Sequence, residues 1–172
     1  MSWSPHRRPA APTIDVQTQS PLWDAQPDAA DTVRAAIEAA AALVPAQGEV
    51  SVLLTDDAAV RKLNRVWRRV DKPTNVLSFP AAKAGGRLLG DIAIAHETLA
   101  REAAREGKPL LHHLAHLAVH GFLHLLGYDH QTDSQAEAME GLERAALARL
   151  QIADPYVSRG VSPKQPQETG SA

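Results

Sequence analysis

The segment Leu114–His130, LAHLAVHGFLHLLGYDH, constrains this chain more than any other stretch of its 172 residues. Its apolar residues recur with helical spacing as far as Leu126, and His120 and His124 lie four apart, so one helix face presents both imidazoles a turn apart. Gly127 follows, suited to the left-handed conformation that ends a helix and turns the chain back. His130 stands close enough beyond it to be returned to the same point. Three neutral imidazoles with a fourth position left to water is the layout of a catalytic zinc site, whereas structural sites fill all four positions with protein. The pattern predicts one zinc ion per chain, or another divalent transition metal, on His120, His124 and His130. His116 extends the stripe, but drift around the helix puts it beside the ion, in a supporting or surface role. Asp129 is a candidate carboxylate for orienting a ligand imidazole.

The H-x3-H-x5-H spacing, with glycine between the second and third histidine, is the skeleton of the metzincin proteases. Those enzymes carry a glutamate general base directly after the first histidine. Here that position is Gly121. The grip on metal is kept and the peptidase base is absent, so the pattern points to hydrolytic chemistry other than ordinary proteolysis.

Composition narrows the classes. With no cysteine, a disulfide scaffold, a thiolate metal site and a cysteine nucleophile are all excluded, in keeping with a cytoplasmic protein. No run approaches the ~18 apolar residues of a membrane span, and the start of the chain lacks the apolar stretch of a secretory signal. A formal charge of -2 gives no global attraction to nucleic acid, so an anionic partner must be met locally. Such a patch exists: Arg61, Lys62, Arg65, Arg68, Arg69 and Lys72 stand against the single acid Asp71. A solvated helix face is the ordinary reading of a charge run. This one, however, feeds a β-rich stretch in a mildly acidic chain, which suits a phosphodiester substrate contacted by Arg61, Arg65, Arg68, Arg69 and Lys72. One arginine there would neutralise transition-state charge, though spacing does not say which.

Periodicity predicts strands at 13–19, 49–54, 75–79 and 88–94. It predicts helices at 28–44, from Thr55 or Asp56 with Val60, Leu63 and Val66 on one face, and at 96–106, 109–126 and 134–150. The fold class is α+β, a small mixed sheet of about four strands flanked by about five helices, including a zincin-like metal-binding helix. Residues 1–12 read as a loose segment, 13–153 as one domain, and 154–172 as a disordered tail.

Three motifs resemble one family. HGFLHLLGYDH (His120–His130), LNRVWRRVDKPTNVLSFP (Leu63–Pro80) and LGDIAI (Leu89–Ile94) are similar, in order, to the signatures of the YbeY family of bacterial endoribonucleases. The resemblance implies zinc on His120, His124 and His130, and a catalytic role for Arg68 alongside His120. It implies cleavage of single-stranded RNA, maturation of the 16S ribosomal RNA 3′ end, and ribosome quality control. The partners it implies are the small ribosomal subunit and the GTPase Era. Trp67, Arg69 and Asn75 depart mildly from the family pattern, and none is a ligand. Two other functions fit the residues less well: a non-catalytic ribosome assembly factor stapled by its metal, and a peptidase with an unconventional base. RNA cleavage by the metal-loaded protein separates the three.

Overall fold

A computed structural model describes residues 11–81 and 87–157. Four strands, β1 (Thr13–Thr18), β2 (Glu49–Thr55), β3 (Val76–Pro80) and β4 (Leu88–Ala95), form one sheet in the order β1-β2-β4-β3. β1, β2 and β4 run parallel, and β3 pairs antiparallel with β4 at the edge. Five α-helices accompany them: α1 (Ala29–Leu43), α2 (Asp57–Arg68), α3 (His96–Glu106), α4 (Leu110–Leu125) and α5 (Asp133–Arg149). A short 3-10 turn at Pro21–Ala25, absent from the periodicity, buries Trp23, whose indole N–H donates to the carbonyl of Thr55. The expected α+β class is therefore the observed one.

The two-residue period of the strands divides the sheet between two unequal layers. Val50, Val52, Leu54, Ile92 and Ile94 face the main core, where α1, α4 and α5 contribute Val33, Ile37, Leu114, Phe122, Leu123, Met139 and Leu147. Leu77, Ala93 and Ala95 face the other way and meet only Val60 of α2, with Leu53, Leu63 and Phe79 at the margin. Each fully buried Leu or Phe here stabilises by roughly 1.5–3 kcal/mol. α2 is the thinner layer, and the expectation for Val66 fails there. Val66 is 58% exposed, because at about 100° per residue it lies roughly 120° around the helix from the Val60 stripe. The buried positions are Val60 and Asn64, and Asn64 donates to the carbonyl of Lys72, tying the loop after α2 to its helix.

α4 passes close over β3 and β4. An added Cβ at Gly121 would lie 3.0 Å from Cγ2 of Ile92 and 3.1 Å from Oγ of Ser78. The Ser78 hydroxyl in turn donates to the carbonyl of Gly121 at 2.9 Å, a buried bond between strand and helix. Glycine at this position thus has a packing counterpart: even a Cβ would press on Ile92 and Ser78.

Asp154 and Tyr156 fall in the expected tail, yet both make contacts. Asp154 pairs with Arg144 at 3.0 Å, and the Tyr156 hydroxyl reaches Glu143 at 2.6 Å. The loose segment at 1–10, the glycine turn at Gly85 and Gly86, and residues 158–172 lie outside the described residues. No helix among the described residues is long and apolar enough to cross a membrane.

Gly121→Ala is expected to lower stability by about 1 kcal/mol, overpacking outweighing the gain in helix propensity. Denaturant unfolding of the metal-free protein, followed by circular dichroism, checks this. Equal or greater stability would contradict the close approach.

Candidate metal centre

α4 ends as the sequence predicts. Leu126 is the C-cap and Gly127 takes φ +99. The N–H of Gly127 donates to His124 O at 3.0 Å and that of Tyr128 to Leu123 O at 3.1 Å, the paired bonds of a Schellman turn. An added Cβ at Gly127 would meet nothing, so it is the backbone angle, not space, that favours glycine there. Beyond the turn, Asp129 Oδ1 accepts the N–H of His130 at 2.8 Å. The next helix is started by a capping box between Thr132 and Gln135.

This reversal brings three rings together. One ligand atom from each of His120, His124 and His130 lies within 4.8 Å of the others. Nε2 of His120 and Nε2 of His124 are 3.0 Å apart. Two imidazole nitrogens bound tetrahedrally to one zinc at about 2.0–2.1 Å would stand about 3.3 Å apart, so the donors fit such an ion. His120 and His124 are half-buried and His130 is exposed, which leaves one side open. Burial, reinforced by the neighbouring His120 and His130, holds the His124 imidazole below its usual pKa and favours the neutral form a metal requires.

Among the described residues the carboxylate hydrogen-bonded to a ligand ring is Glu143, while Asp129 Oδ1 accepts the His130 N–H. Glu143 is 1% exposed on α5, and its Oε2 lies 3.1 Å from Nδ1 of His120. Its Oε1 meets Nε2 of His116 and the hydroxyl of Tyr156. Burial alone would raise the Glu143 pKa, but hydrogen bonds from His116, His120 and Tyr156 outweigh it and bring the group down to about 2. Tyr156 is pushed well above its usual range, by burial and then by Glu143, so it stays a hydroxyl donor. His116 thus meets Glu143 rather than the ion's position. The available signal for Glu143 was its place on the buried face of α5, in helical register with Met139, Ala146 and Leu147. A lone acid on an apolar stripe needs a partner.

The cleft beside the imidazoles has a volume of about 500 Å³ and is lined by His120, His124, His130, Asp129, Ser78 and Arg68, among others. Of the five predicted basic contacts, only Arg68 reaches it. Its guanidinium donates to the carbonyl of Ser78 at 2.6 Å and lies 5.6 Å from the ring centre of Phe79. Arg61 is instead forked onto Asp71 at 2.7 and 3.1 Å. Arg65 and Lys72 are exposed outside the cleft, and Arg69 caps α2 in the left-handed conformation. Asn75, also on the cleft wall, donates to Glu102 at 3.0 Å, an interaction an ionised aspartate would not make.

Fold and site together define a class: an α+β protein in which a helix and its C-terminal turn gather three imidazoles beside an arginine-lined cleft. Within that class the chain belongs to the YbeY family, since the family model described as endoribonuclease YbeY matches residues 14–151. A Bradyrhizobium protein named endoribonuclease YbeY is 54% identical over 159 residues, covering 86% of this chain and 94% of its own. A Rhodopseudomonas palustris protein of the same name is 56% identical over 158 residues, covering 86% and 92%. A solution structure from Thermotoga maritima aligns at 21% identity with a TM-score of 0.49, over 89% of this chain and 99% of that one.

In the metal-free protein the His124 ring should take up its proton below the ordinary imidazole range, because burial and the two neighbouring rings disfavour the charged form. An NMR pH titration of the His124 ring signals checks this. A midpoint at or above the ordinary imidazole value of about 6.5 would contradict it.

Proposed function

We propose that the protein is a single-strand-specific, metal-dependent endoribonuclease. Its zinc ion, or another divalent transition metal, is held by His120, His124 and His130. The observation that carries the reading is the shared cleft, in which Arg68 and the three imidazoles face one space. The relatives described above, each named endoribonuclease YbeY, support it.

A bound divalent ion supplies Lewis acidity, polarising a phosphate oxygen and acidifying water. The chain supplies orientation and charge. Arg68 is anchored through one N–H to Ser78 and steadied over Phe79, so its remaining donors are preorganised for a non-bridging phosphate oxygen. Gly121 leaves no side chain beside His120 to act as base. Asp129 is the carboxylate on the cleft wall, available to take a proton, and the RNA 2′-hydroxyl is the alternative internal nucleophile. Arg65, Arg69 and Lys72, outside the cleft, give the neighbouring surface a positive field that attracts RNA without placing it, while the charge of Arg61 is offset by Asp71. Processing of the 16S ribosomal RNA 3′ end and ribosome quality control in the cytoplasm, with the small subunit and Era as partners, follows from the family resemblance.

The deciding experiment incubates metal-loaded protein with single-stranded RNA and, in parallel, with unstructured protein. RNA should be cut and protein spared, and His124→Ala should lose both stoichiometric metal and cleavage. Intact RNA would favour a non-catalytic assembly factor, and cut protein a peptidase. Arg68→Ala should keep its metal while cleavage slows by about 2–4 kcal/mol in barrier, the scale of one transition-state donor. A wild-type rate from that variant would assign Arg68 to structure alone.

A further inference from the structure

Glu143 is a buried carboxylate with an unusual set of partners. Among the described residues no lysine or arginine lies within ion-pair reach of it. Its nearest basic neighbour in sequence, Arg144, is turned to Asp154 and lies 5.2 Å from the ring centre of Tyr156. Every partner of Glu143 is an uncharged donor or an imidazole: Tyr156 Oη at 2.6 Å, His116 Nε2, and His120 Nδ1 at 3.1 Å. A buried carboxylate stays ionised only where hydrogen-bond donors replace the water it has lost, and these three do so. The far side of the His120 ring, where Nε2 faces His124, is the side turned to the three-imidazole cluster.

Those contacts also settle how the His120 ring is used. A carboxylate against Nδ1 makes that nitrogen the N–H donor, so the lone pair lies on Nε2, the atom aimed at the cluster. Oε1 of Glu143 is fixed by Tyr156, from the segment that follows α5, and by His116, one turn before His120 on α4. The tyrosine is itself clamped. Its ring meets His116 edge-on with centroids 5.5 Å apart, its other flank lies beside Arg144, and its backbone N–H donates to Asp154 Oδ1 at 2.8 Å.

We propose that Tyr156 is a positioning residue for the metal centre: its hydroxyl fixes Glu143, and Glu143 fixes the ring orientation and Nδ1–H tautomer of His120. The segment Asp154–Tyr156 is therefore a working part of the site, though distant from it in sequence. The proposal rests on the three-imidazole reading above and adds a group two hydrogen bonds removed from the ligand ring of His120. Tyr156 makes no contact with the ligand rings other than through Glu143 and His116 among the described residues.

The test compares wild type, Tyr156→Phe and Glu143→Gln in three measurements. These are zinc affinity by competition with a chromophoric chelator, melting temperature of the metal-free protein, and the His120 tautomer from nitrogen–proton NMR correlations of the ring. Tyr156→Phe keeps the ring packing and removes only the hydroxyl. It is expected to weaken zinc binding roughly tenfold, and Glu143→Gln by about ten- to a hundredfold, the range for lost support behind a metal ligand. In Glu143→Gln the His120 ring should also lose its single tautomer. If wild type binds one ion and either variant binds it equally well, the proposal is overturned while the metal centre stands, whatever the melting temperatures. If Tyr156→Phe does not fold, Glu143→Gln decides by the same criterion. If wild type binds no ion, the proposal and the three-imidazole reading fall together.

Discussion

The close contact of α4 with the edge of the sheet is the constraint on which the rest depends. This helix buries Leu114, Leu117, Ala118, Phe122 and Leu125 in the main core and still presents His116, His120 and His124 along another face. Gly121 lets the helix settle closely against Ile92 and Ser78 while it performs both tasks. The Ser78 hydroxyl bond to the Gly121 carbonyl then fixes the separation between helix and strand. Ser78 also accepts the Arg68 guanidinium through its own carbonyl, so one strand residue sets the position of helix and arginine together. A rigid core element carrying the ligands holds them more firmly than a loop would.

Charge is organised around that contact. Arg68 is anchored at the cleft wall with donors to spare, while the other basic residues of the run stay in solvent or, like Arg61, are taken up by Asp71. Behind the ligands lies the opposite sign: a buried Glu143 held ionised by donors rather than by a cation. An anion behind His120 and a cation at the cleft wall give the site a polarity that suits a divalent ion and a phosphodiester in sequence.

Much of this was legible beforehand, and the reasons are local. The i, i+4 pair His120 and His124, the turn at Gly127 and the return at His130 all depend on neighbouring residues and dihedral preferences. Strand and helix limits came within a residue or two for the same reason, as at His96–Glu106. What failed depended on contacts distant in sequence. Val66 was placed on a buried face that the sheet does not extend to cover. Glu143 and Tyr156 join the site only when α5 packs on α4, and no spacing rule links them to His120. Gly121, which carries no side chain to act as base, also meets a strand more than forty positions earlier in the chain, a contact no local pattern marks.

X-ray absorption at the metal edge of the zinc-loaded protein tests the central claim most directly. The account predicts three imidazole nitrogens at about 2.0–2.1 Å and one exchangeable oxygen completing a four-coordinate shell. A shell with fewer than three imidazoles, or one closed by a fourth protein ligand, would contradict it.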